Sequence, residues 1–187
     1  MLQIERGNMS ATREKLQESE YFLELMTLTQ AQRDTFKYNL SAFLSASRSV
    51  TLIMQKEYDR ISGFKQWWSE KQGKMRNDDA MKLLNEKRVM TIHTQPVRPR
   101  AQVNITIEEH VTVSDSFSIV VTHADGTVDR RESEPTPPPP VPAKTESNIE
   151  WRWYFDELPK KDVLTLCKDH VAKLDALVKE CESRFAL

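Results

Sequence analysis

Apolar residues recur at alternating steps of three and four positions over two long stretches of the chain, which is the spacing of a buried helix face. The first stretch predicts a helix from about residue 31 to 61, with no proline to interrupt it. The second predicts a last helix that opens at Pro159. The first face consists of Phe36, Leu40, Phe43, Ser47, Val50, Met54 and Ile61. The second consists of Leu164, Cys167, Val171, Leu174, Val178, Cys181 and Phe185.

Two further helices complete a predicted bundle. Ser10 is placed to cap a first helix over about residues 11 to 27. Asn77 is placed to cap a third long helix, which must stop before Pro96 because proline disfavours helical geometry in the residue before it. Four helices with long apolar faces bury those faces against one another, so we expect an α-helical bundle.

A short aromatic piece, residues 64–68, follows Gly63 and is expected to end at Gly73. It contains Trp67 and Trp68. Aromatic side chains of this kind can stack on nucleic acid bases, but in bundles they pack in the interior or at interfaces more often. We therefore expect them to pack.

After Pro99 the pattern changes to a period of two, which is typical of strands. Val103, Ile105 and Ile107 form one run, and residues 117–121 form a second run beyond the turn residues 114–116. Asp125-Gly126 predicts a further turn. Together they predict a small antiparallel hairpin or meander over about residues 101 to 131. Residues 133 to 147 contain six of the nine prolines and predict an extended, exposed loop.

The predicted architecture is mainly α: an up-and-down bundle of four main helices with the β-hairpin or meander inserted between the third and the fourth. A chain of 187 residues suits one domain with an insertion. We place the helical core at about residues 10 to 95 and 150 to 187 of a single domain.

The composition predicts a soluble, cytoplasmic protein. It has 39% hydrophobic and 29% charged residues with a net charge of −1, and its start lacks the basic and apolar run of a secretory signal. No apolar stretch approaches the ~18 residues of a membrane span. Cys167 and Cys181 lie 14 positions apart on one helix, about 21 Å at the helical rise, so they predict buried thiols and no disulfide. We expect no metal and no cofactor.

Arg88 lies where a packing residue is expected. Met81, Leu84, Arg88 and Ile92 recur at steps of three, four and four on the third long helix. A charged group on an apolar face is either paired or functional. His93 follows five positions later, at the end of the same helix.

A four-helix bundle with Arg, four intervening residues and His near the end of the third helix resembles the HEPN superfamily (higher eukaryotes and prokaryotes nucleotide-binding domain). Many members are metal-independent ribonucleases. The resemblance implies a homodimer whose shared groove receives Arg88 and His93 from both chains, an RNA substrate, and a role as a toxin or antiphage effector, restrained by an antitoxin or regulatory protein. Active members commonly carry Asn after the Arg, where this chain has Val89.

The two residue types suit RNA cleavage by attack of the 2′-hydroxyl, which yields a 2′,3′-cyclic phosphate and a 5′-hydroxyl. Histidine can both accept and give a proton near neutrality, and arginine can grip two phosphate oxygens. Residues five apart on a regular helix point roughly 140° away from each other. Either the helix unwinds before His93 or two subunits contribute.

The net charge of −1 gives no reason to expect a phosphate ligand, but one segment of the chain is strongly basic. Residues 71 to 100 hold eight Lys or Arg against three acids, and Lys87, Arg98 and Arg100 are the predicted nucleic acid contacts. Residues 101 to 134 hold seven acids and two arginines, so the insertion is expected to repel RNA.

Other interpretations stay open. Arg88 and His93 can simply place positive charge beside the last carbonyls of a helix. The chain can also be a non-catalytic dimer that binds a nucleotide, an RNA or a protein partner, or a structural subunit of a larger bundle. His170 lies beside the apolar face of the last helix and predicts a hydrogen-bonded structural residue.

Overall fold

The computed structural model describes residues 9–108, 118–132 and 146–185. The described helices are α1 (Ala11–Leu28), α2 (Arg33–Tyr58), α3 (Phe64–Arg76), α4 (Asp79–His93) and α5 (Val163–Arg184). The described strands are β1 (Arg100–Glu108), β2 (Ser118–Thr122), β3 (Val128–Glu132) and β4 (Glu146–Tyr154). The protein is mainly helical, with its strands between α4 and α5, which confirms the predicted fold class.

The predicted apolar faces of α2 and α5 form the centre of the core. All seven predicted positions of the α5 face are buried, and so are the predicted positions of the α2 face from Phe36 to Met54. Ile61, which lies beyond the end of α2, is partly buried against this core. α1 packs along α2 and α5, while α4 contacts α2, α3 and α5. Burial of each large apolar side chain contributes about 1.5–3 kcal/mol, so these two faces hold the bundle together.

The helix beginnings are set by short polar side chains. The Ser10 hydroxyl accepts a hydrogen bond from the Arg13 backbone N–H at 3.1 Å, as predicted. The predicted cap at Asn77 was wrong, because the neighbouring Asp78 accepts from the Met81 N–H and also pairs with Lys173 of α5. The carboxylate thus combines a cap with an ion pair that an amide cannot make.

The last helix also begins later than expected. Its cap is Asp162, which accepts a hydrogen bond from the Thr165 N–H at 3.0 Å, so Pro159 precedes the helix and does not open it. A second carboxylate oxygen of Asp162 accepts from the Trp153 backbone N–H at 3.1 Å. Asp162 therefore joins the start of α5 to the end of β4.

The aromatic piece is the beginning of a full helix. α3 continues past Gly73 to Arg76, so the prediction that Gly73 ends it was wrong. Glycine inside a helix costs about 1 kcal/mol relative to alanine. Burial of Phe64, Trp67 and Trp68 on one side of α3 outweighs that cost.

The described strands form two pairs, one of which is the predicted antiparallel hairpin. β2 and β3 form an antiparallel hairpin, with Ser118 opposite Glu132, around the predicted turn at Asp125-Gly126. Gly126 has φ of 86°, a left-handed conformation that favours glycine. β1 pairs with β4. The sequence did not predict this partner, because alternation shows which residues form a strand but not which strand lies beside it. The predicted turn at 114–116 and most of the proline-rich loop lie outside the described residues.

β4 is anchored to the helices through a tryptophan. The Trp153 ring is fully buried and stacks on Phe36 of α2 with ring centres 4.3 Å apart. Its Nε1 donates to the Gln30 carbonyl oxygen at 3.0 Å. The ring of this side chain is therefore buried against apolar neighbours, and its one polar atom has a hydrogen-bond partner.

The chain divides into two compact units. One extends to Val103 and resumes at Trp151, and the other comprises Asn104 to Glu150. Cys167 and Cys181 are buried free thiols, as predicted. Among the described helices, none is long and apolar enough to cross a membrane.

Candidate anion-binding site

Arg88 lines a cavity of about 280 Å³ between α2, α3, α4 and α5. Its side chain is partly buried, and Leu84, one turn earlier, is in the core. Ile92, one turn later, is 47% exposed, so the predicted apolar face of α4 does not extend to the end of the helix. Arg88 thus lies at the edge of the core, between the buried Leu84 and the exposed Ile92.

Cations from three helices surround this cavity. They are Arg48 of α2, Arg76 of α3, and Lys82 and Arg88 of α4. Among the described residues, no aspartate or glutamate lines it. Arg48, Arg76 and Arg88 make no ion pair within the described part of the chain, whereas Lys82 pairs with Asp79 at 3.3 Å. Such a concentration of positive charge produces a field that attracts an anion.

Three of the residues that line this cavity each carry a buried side-chain nitrogen without a hydrogen-bond partner: Trp68 Nε1, Arg88 Nε and His170 Nδ1. Within the described residues, no other buried side-chain nitrogen or oxygen lacks a partner. Leaving such an atom unsatisfied costs about 1–3 kcal/mol. The nitrogens of Trp and Arg can only donate. These three nitrogens therefore cost stability in the protein on its own.

Arg48 and Arg88 act on each other electrostatically. Burial lowers the pKa of Arg48, and the charge of Arg88 lowers it further. Arg48 donates one hydrogen bond, from Nη1 to the Thr51 hydroxyl at 2.8 Å. Two like charges beside one cavity repel, so a bound anion would relieve the repulsion as well as form hydrogen bonds.

His170 of α5 contributes a neutral imidazole to the cavity. Burial lowers its pKa from 6.5 to about 4, the charge of Lys173 lowers it as well, and Asp78 opposes the shift. The predicted hydrogen-bonded role was wrong for Nδ1, which is buried without a partner. At neutral pH this ring can donate from one nitrogen and accept at the other.

His93 does not share the cavity with Arg88. It is the last residue of α4, it is exposed, and it is absent from the cavity lining. α4 is continuous to His93, which excludes unwinding as a way to bring the two side chains together. With the roughly 140° between positions five apart, one chain does not direct both groups to one phosphate.

The predicted nucleic acid contacts also lie outside the cavity lining. Lys87 Nζ pairs with Glu157 at 2.7 Å and lies 5.0 Å from the centre of the Phe155 ring. Arg100 pairs with Asp156, with 2.6 Å between Nε and Oδ1. The hydrogen bond from Lys87 lowers the pKa of the Glu157 carboxyl. Both cations are thus engaged by acids that follow β4.

Arg98 differs from Lys87 and Arg100. Its side chain is exposed, and it makes no ion pair within the described residues. Of the three predicted contacts, Arg98 is the one without a carboxylate partner among the described residues.

The sequence analysis missed Arg48, although the rule that selected Arg88 applies to it. Arg48 lies four positions after Leu44 and three before Thr51, both of which are buried. A charged side chain between buried neighbours on one helix face is the signal that could have found it. No such pattern of buried neighbours marks Arg76 or Lys82, because Arg76 is the last residue of α3 and Lys82 lies in the first turn of α4.

The chemistry of the lining suits an anion. Within the described ranges, no group of three or more histidine, cysteine, aspartate or glutamate side chains is placed to hold a metal ion. The cavity presents cations, donors and a neutral imidazole instead. These groups fit phosphate oxygens, which accept hydrogen bonds and carry negative charge.

Comparison with known proteins gives a family. No curated protein sequence and no solved structure matches the chain. A protein-family model described as bacteriophage lambda protein ea47 matches residues 6–187. Because that match spans nearly the whole chain, the protein belongs to the bacteriophage lambda Ea47 family.

Proposed function

We propose that this protein is a metal-independent endoribonuclease of HEPN type that binds a phosphodiester of RNA at Arg88. The observation that carries the proposal is the state of this side chain: its Nε is buried without a partner, beside a cavity that no described carboxylate lines. A permanent planar cation without an internal partner is available to grip two phosphate oxygens.

The reaction needs only proton transfer and charge stabilisation. The 2′-oxygen attacks phosphorus and gives its proton to a base, while the bond from phosphorus to the 5′-oxygen breaks and that oxygen receives a proton. Histidine suits both proton steps, and His93 is exposed to a substrate. Arg88 stabilises the extra negative charge on the phosphate oxygens in the transition state.

A second subunit brings the two groups together. Arg88 and His93 of one chain diverge around α4, so His93 of the partner subunit has to complete the site. Val89 and Ile92 supply an apolar contact surface for this pairing, because they lie three residues apart on α4 and are 42% and 47% exposed. The proposal therefore includes a homodimer joined near the end of α4.

The test is RNA cleavage by the purified full chain in EDTA. Single-stranded RNA should yield fragments ending in 2′,3′-cyclic phosphate and beginning with 5′-hydroxyl, and Arg88→Ala or His93→Ala should remove this activity. Arg33→Ala and His123→Ala are matched controls, since both residues are exposed and absent from the cavity lining. Cleavage that persists in both Arg88→Ala and His93→Ala would reject the proposal.

Mixing the two inactive variants tests the shared site. If Arg88 works with His93 of the partner subunit, half of the randomly formed dimers are mixed and each keeps one intact site. Activity should then return to about a quarter of the unmodified level. No recovery in demonstrably mixed dimers would contradict a shared site.

A second candidate function is a non-catalytic dimer that binds a nucleotide, an RNA or a protein partner. The separation of the exposed His93 from the cavity of Arg88, together with Val89 after the arginine, favours it. Tight RNA binding without any product over several hours would support this candidate. A role as a toxin or antiphage effector with its own inhibitor belongs to the nuclease proposal and depends on turnover.

A further inference from the structure

We infer that the β2–β3 hairpin joins two copies of this chain, with β2 of one copy pairing antiparallel to β2 of the other about a twofold axis at Val120. The inference goes beyond the proposed function and uses neither Arg88 nor the end of α4. Both strands lie in the second compact unit, Asn104 to Glu150.

The hairpin exposes apolar side chains on both of its faces. Ile119, Val120 and Val121 follow one another on β2 and are 50%, 55% and 46% exposed, and Val128 of β3 is 59% exposed. Successive side chains of a strand point to opposite faces, so neither face of β2 is a purely polar one. A two-stranded hairpin is only marginally stable in water and needs further strands or a packed face. An additional strand would therefore stabilise it.

The two edges of the hairpin differ in charge. Four consecutive residues of β3 are charged: Asp129, Arg130, Arg131 and Glu132. Charged side chains protect an edge strand from pairing with another chain. β2, by contrast, has the sequence Ser-Ile-Val-Val-Thr, without a charge. Among the described strands, β3 is the one that pairs with β2, so the outer edge of β2, on the side away from β3, is the edge suited to a further strand.

The backbone of β2 determines which of its residues meet that strand. The His123 N–H donates to the Thr127 carbonyl oxygen at 2.8 Å, and the pairing continues from there without a bulge. Hydrogen-bonded and non-hydrogen-bonded pairs alternate along an antiparallel ladder, so the odd-numbered residues of β2 bond to β3. The even-numbered residues direct their backbone N–H and C=O groups to the outer edge. They are Ser118, Val120 and Thr122.

Two copies of this edge fit each other in one register. With the twofold axis at Val120, this residue lies opposite the partner's Val120, and Ser118 lies opposite the partner's Thr122. Each of these pairs exchanges two hydrogen bonds, so every outward-directed group of β2 gains a partner. Moving the axis by one residue in either direction leaves one outward-directed residue of each β2 without a counterpart in the other.

The side chains across this contact are also compatible. Ile119 and Val121 of both copies form a continuous group of four β-branched residues on one face, and such residues pack well in cross-strand pairs. On the other face the two Val120 side chains are neighbours, and the Ser118 hydroxyl lies opposite a threonine hydroxyl. Because neither central strand carries a charge, no like charges lie directly opposite each other. Both copies present the same residues, as a twofold contact requires.

Cysteine cross-linking of the full chain tests the register. Val120→Cys should form an intermolecular disulfide under mild oxidation, because opposite residues of a hydrogen-bonded pair have Cα atoms about 5.5 Å apart. Ile119→Cys is the matched control on the same strand. Its counterpart in the partner lies on the diagonal, at roughly 7–8 Å, beyond the usual limit of about 6.8 Å for a disulfide. Cys167 and Cys181 are buried and do not compete.

The mass of the protein in solution tests the contact itself. Val120→Lys places two positive charges opposite each other on the axis, which destabilises the pair. By light scattering after gel filtration, the unmodified chain should have at least about twice the mass of Val120→Lys. Val128→Lys is the matched control, because Val128 is as exposed but lies on β3, and it should keep the mass of the unmodified chain. Far-UV circular dichroism checks that the helices remain folded in both variants.

Two results would overturn the inference. One is cross-linking of Val120→Cys no faster than that of Ile119→Cys. The other is an equal mass for Val120→Lys and the unmodified chain, which would mean that the outer edge of β2 is occupied within one chain. Failure of the proposed contact at α4 gives a different result: Val120→Lys would then be a monomer, whereas a Val120→Lys dimer is what that contact predicts.

Discussion

Arg48 of α2 and Arg88 of α4 line the same cavity, and the positive charge of Arg88 lowers the pKa of Arg48 beyond the effect of burial. Neither has a carboxylate partner among the described residues. A protein under selection for stability alone has no reason to place two cations in this way, since the arrangement costs electrostatic energy.

Arg88→Met should therefore make the unliganded protein more stable. The change removes a buried Nε without a partner and the repulsion with Arg48, while methionine retains most of the apolar contact. We expect the free energy of unfolding to rise by about 1 kcal/mol. The measurement is urea denaturation in a buffer free of phosphate and sulfate. Arg33→Met should stay within about 0.5 kcal/mol of the unmodified protein. A loss of more than about 1 kcal/mol in Arg88→Met would show that this arginine is structural.

His170 should make the protein less stable in mild acid. Its pKa is about 4 in the folded chain, against an ordinary value of 6.5, so between these values the unfolded chain binds a proton that the folded chain does not. Stability is then lost as the pH falls from 6.5 towards 4, by on the order of 2 kcal/mol. The hydrogen bond from Lys173 lowers the pKa of the neighbouring Asp78, so the carboxylate of Asp78 is favoured in the folded chain.

The measurement is the free energy of unfolding of the unmodified protein and of His170→Gln at several pH values. The difference between the two should change from pH 7 to pH 4.5 and remain constant above pH 7, where both side chains are neutral. Parallel curves over the whole range would show that His170 does not titrate as a buried histidine.

Trp153 should be among the most sensitive positions in the core. Its ring is fully buried against Phe36, and its Nε1 donates to the Gln30 carbonyl oxygen. Trp153→Ala should lower the free energy of unfolding by about 3–5 kcal/mol. Trp153→Phe should cost less, because stacking survives and mainly the hydrogen bond is lost.

Urea denaturation measures these losses. Ile149→Ala provides the control on the same strand, since Ile149 is 52% exposed, and it should cost no more than about 0.5 kcal/mol. A loss below about 1 kcal/mol in Trp153→Ala would mean that β4 is not anchored through this ring.

The helical faces could be predicted because they depend on local periodicity. Every predicted position of the α5 face is buried, and the cap at Ser10 lies where the sequence put it. The errors occurred where local signals compete with distant contacts. Gly73 does not end α3, because the buried aromatic side chains of that helix stabilise it beyond the glycine. Strand β1 pairs with β4, and β4 in turn is held by the stacking of Trp153 on Phe36 of α2.

The sequence by itself determined that this chain is a helical bundle with a β insertion, and it singled out Arg88, because helix periodicity is a property of neighbours along the chain. Only the tertiary structure decided what surrounds that arginine. Arg48, Arg76 and His170 line the cavity from three other helices. Lys87 lies outside the cavity lining and forms an ion pair with Glu157. Which side chains meet at the cavity depends on how the helices pack, and the strength of their electrostatic interaction depends on the distance between them in space. The spacing of residues along one helix determines neither of these.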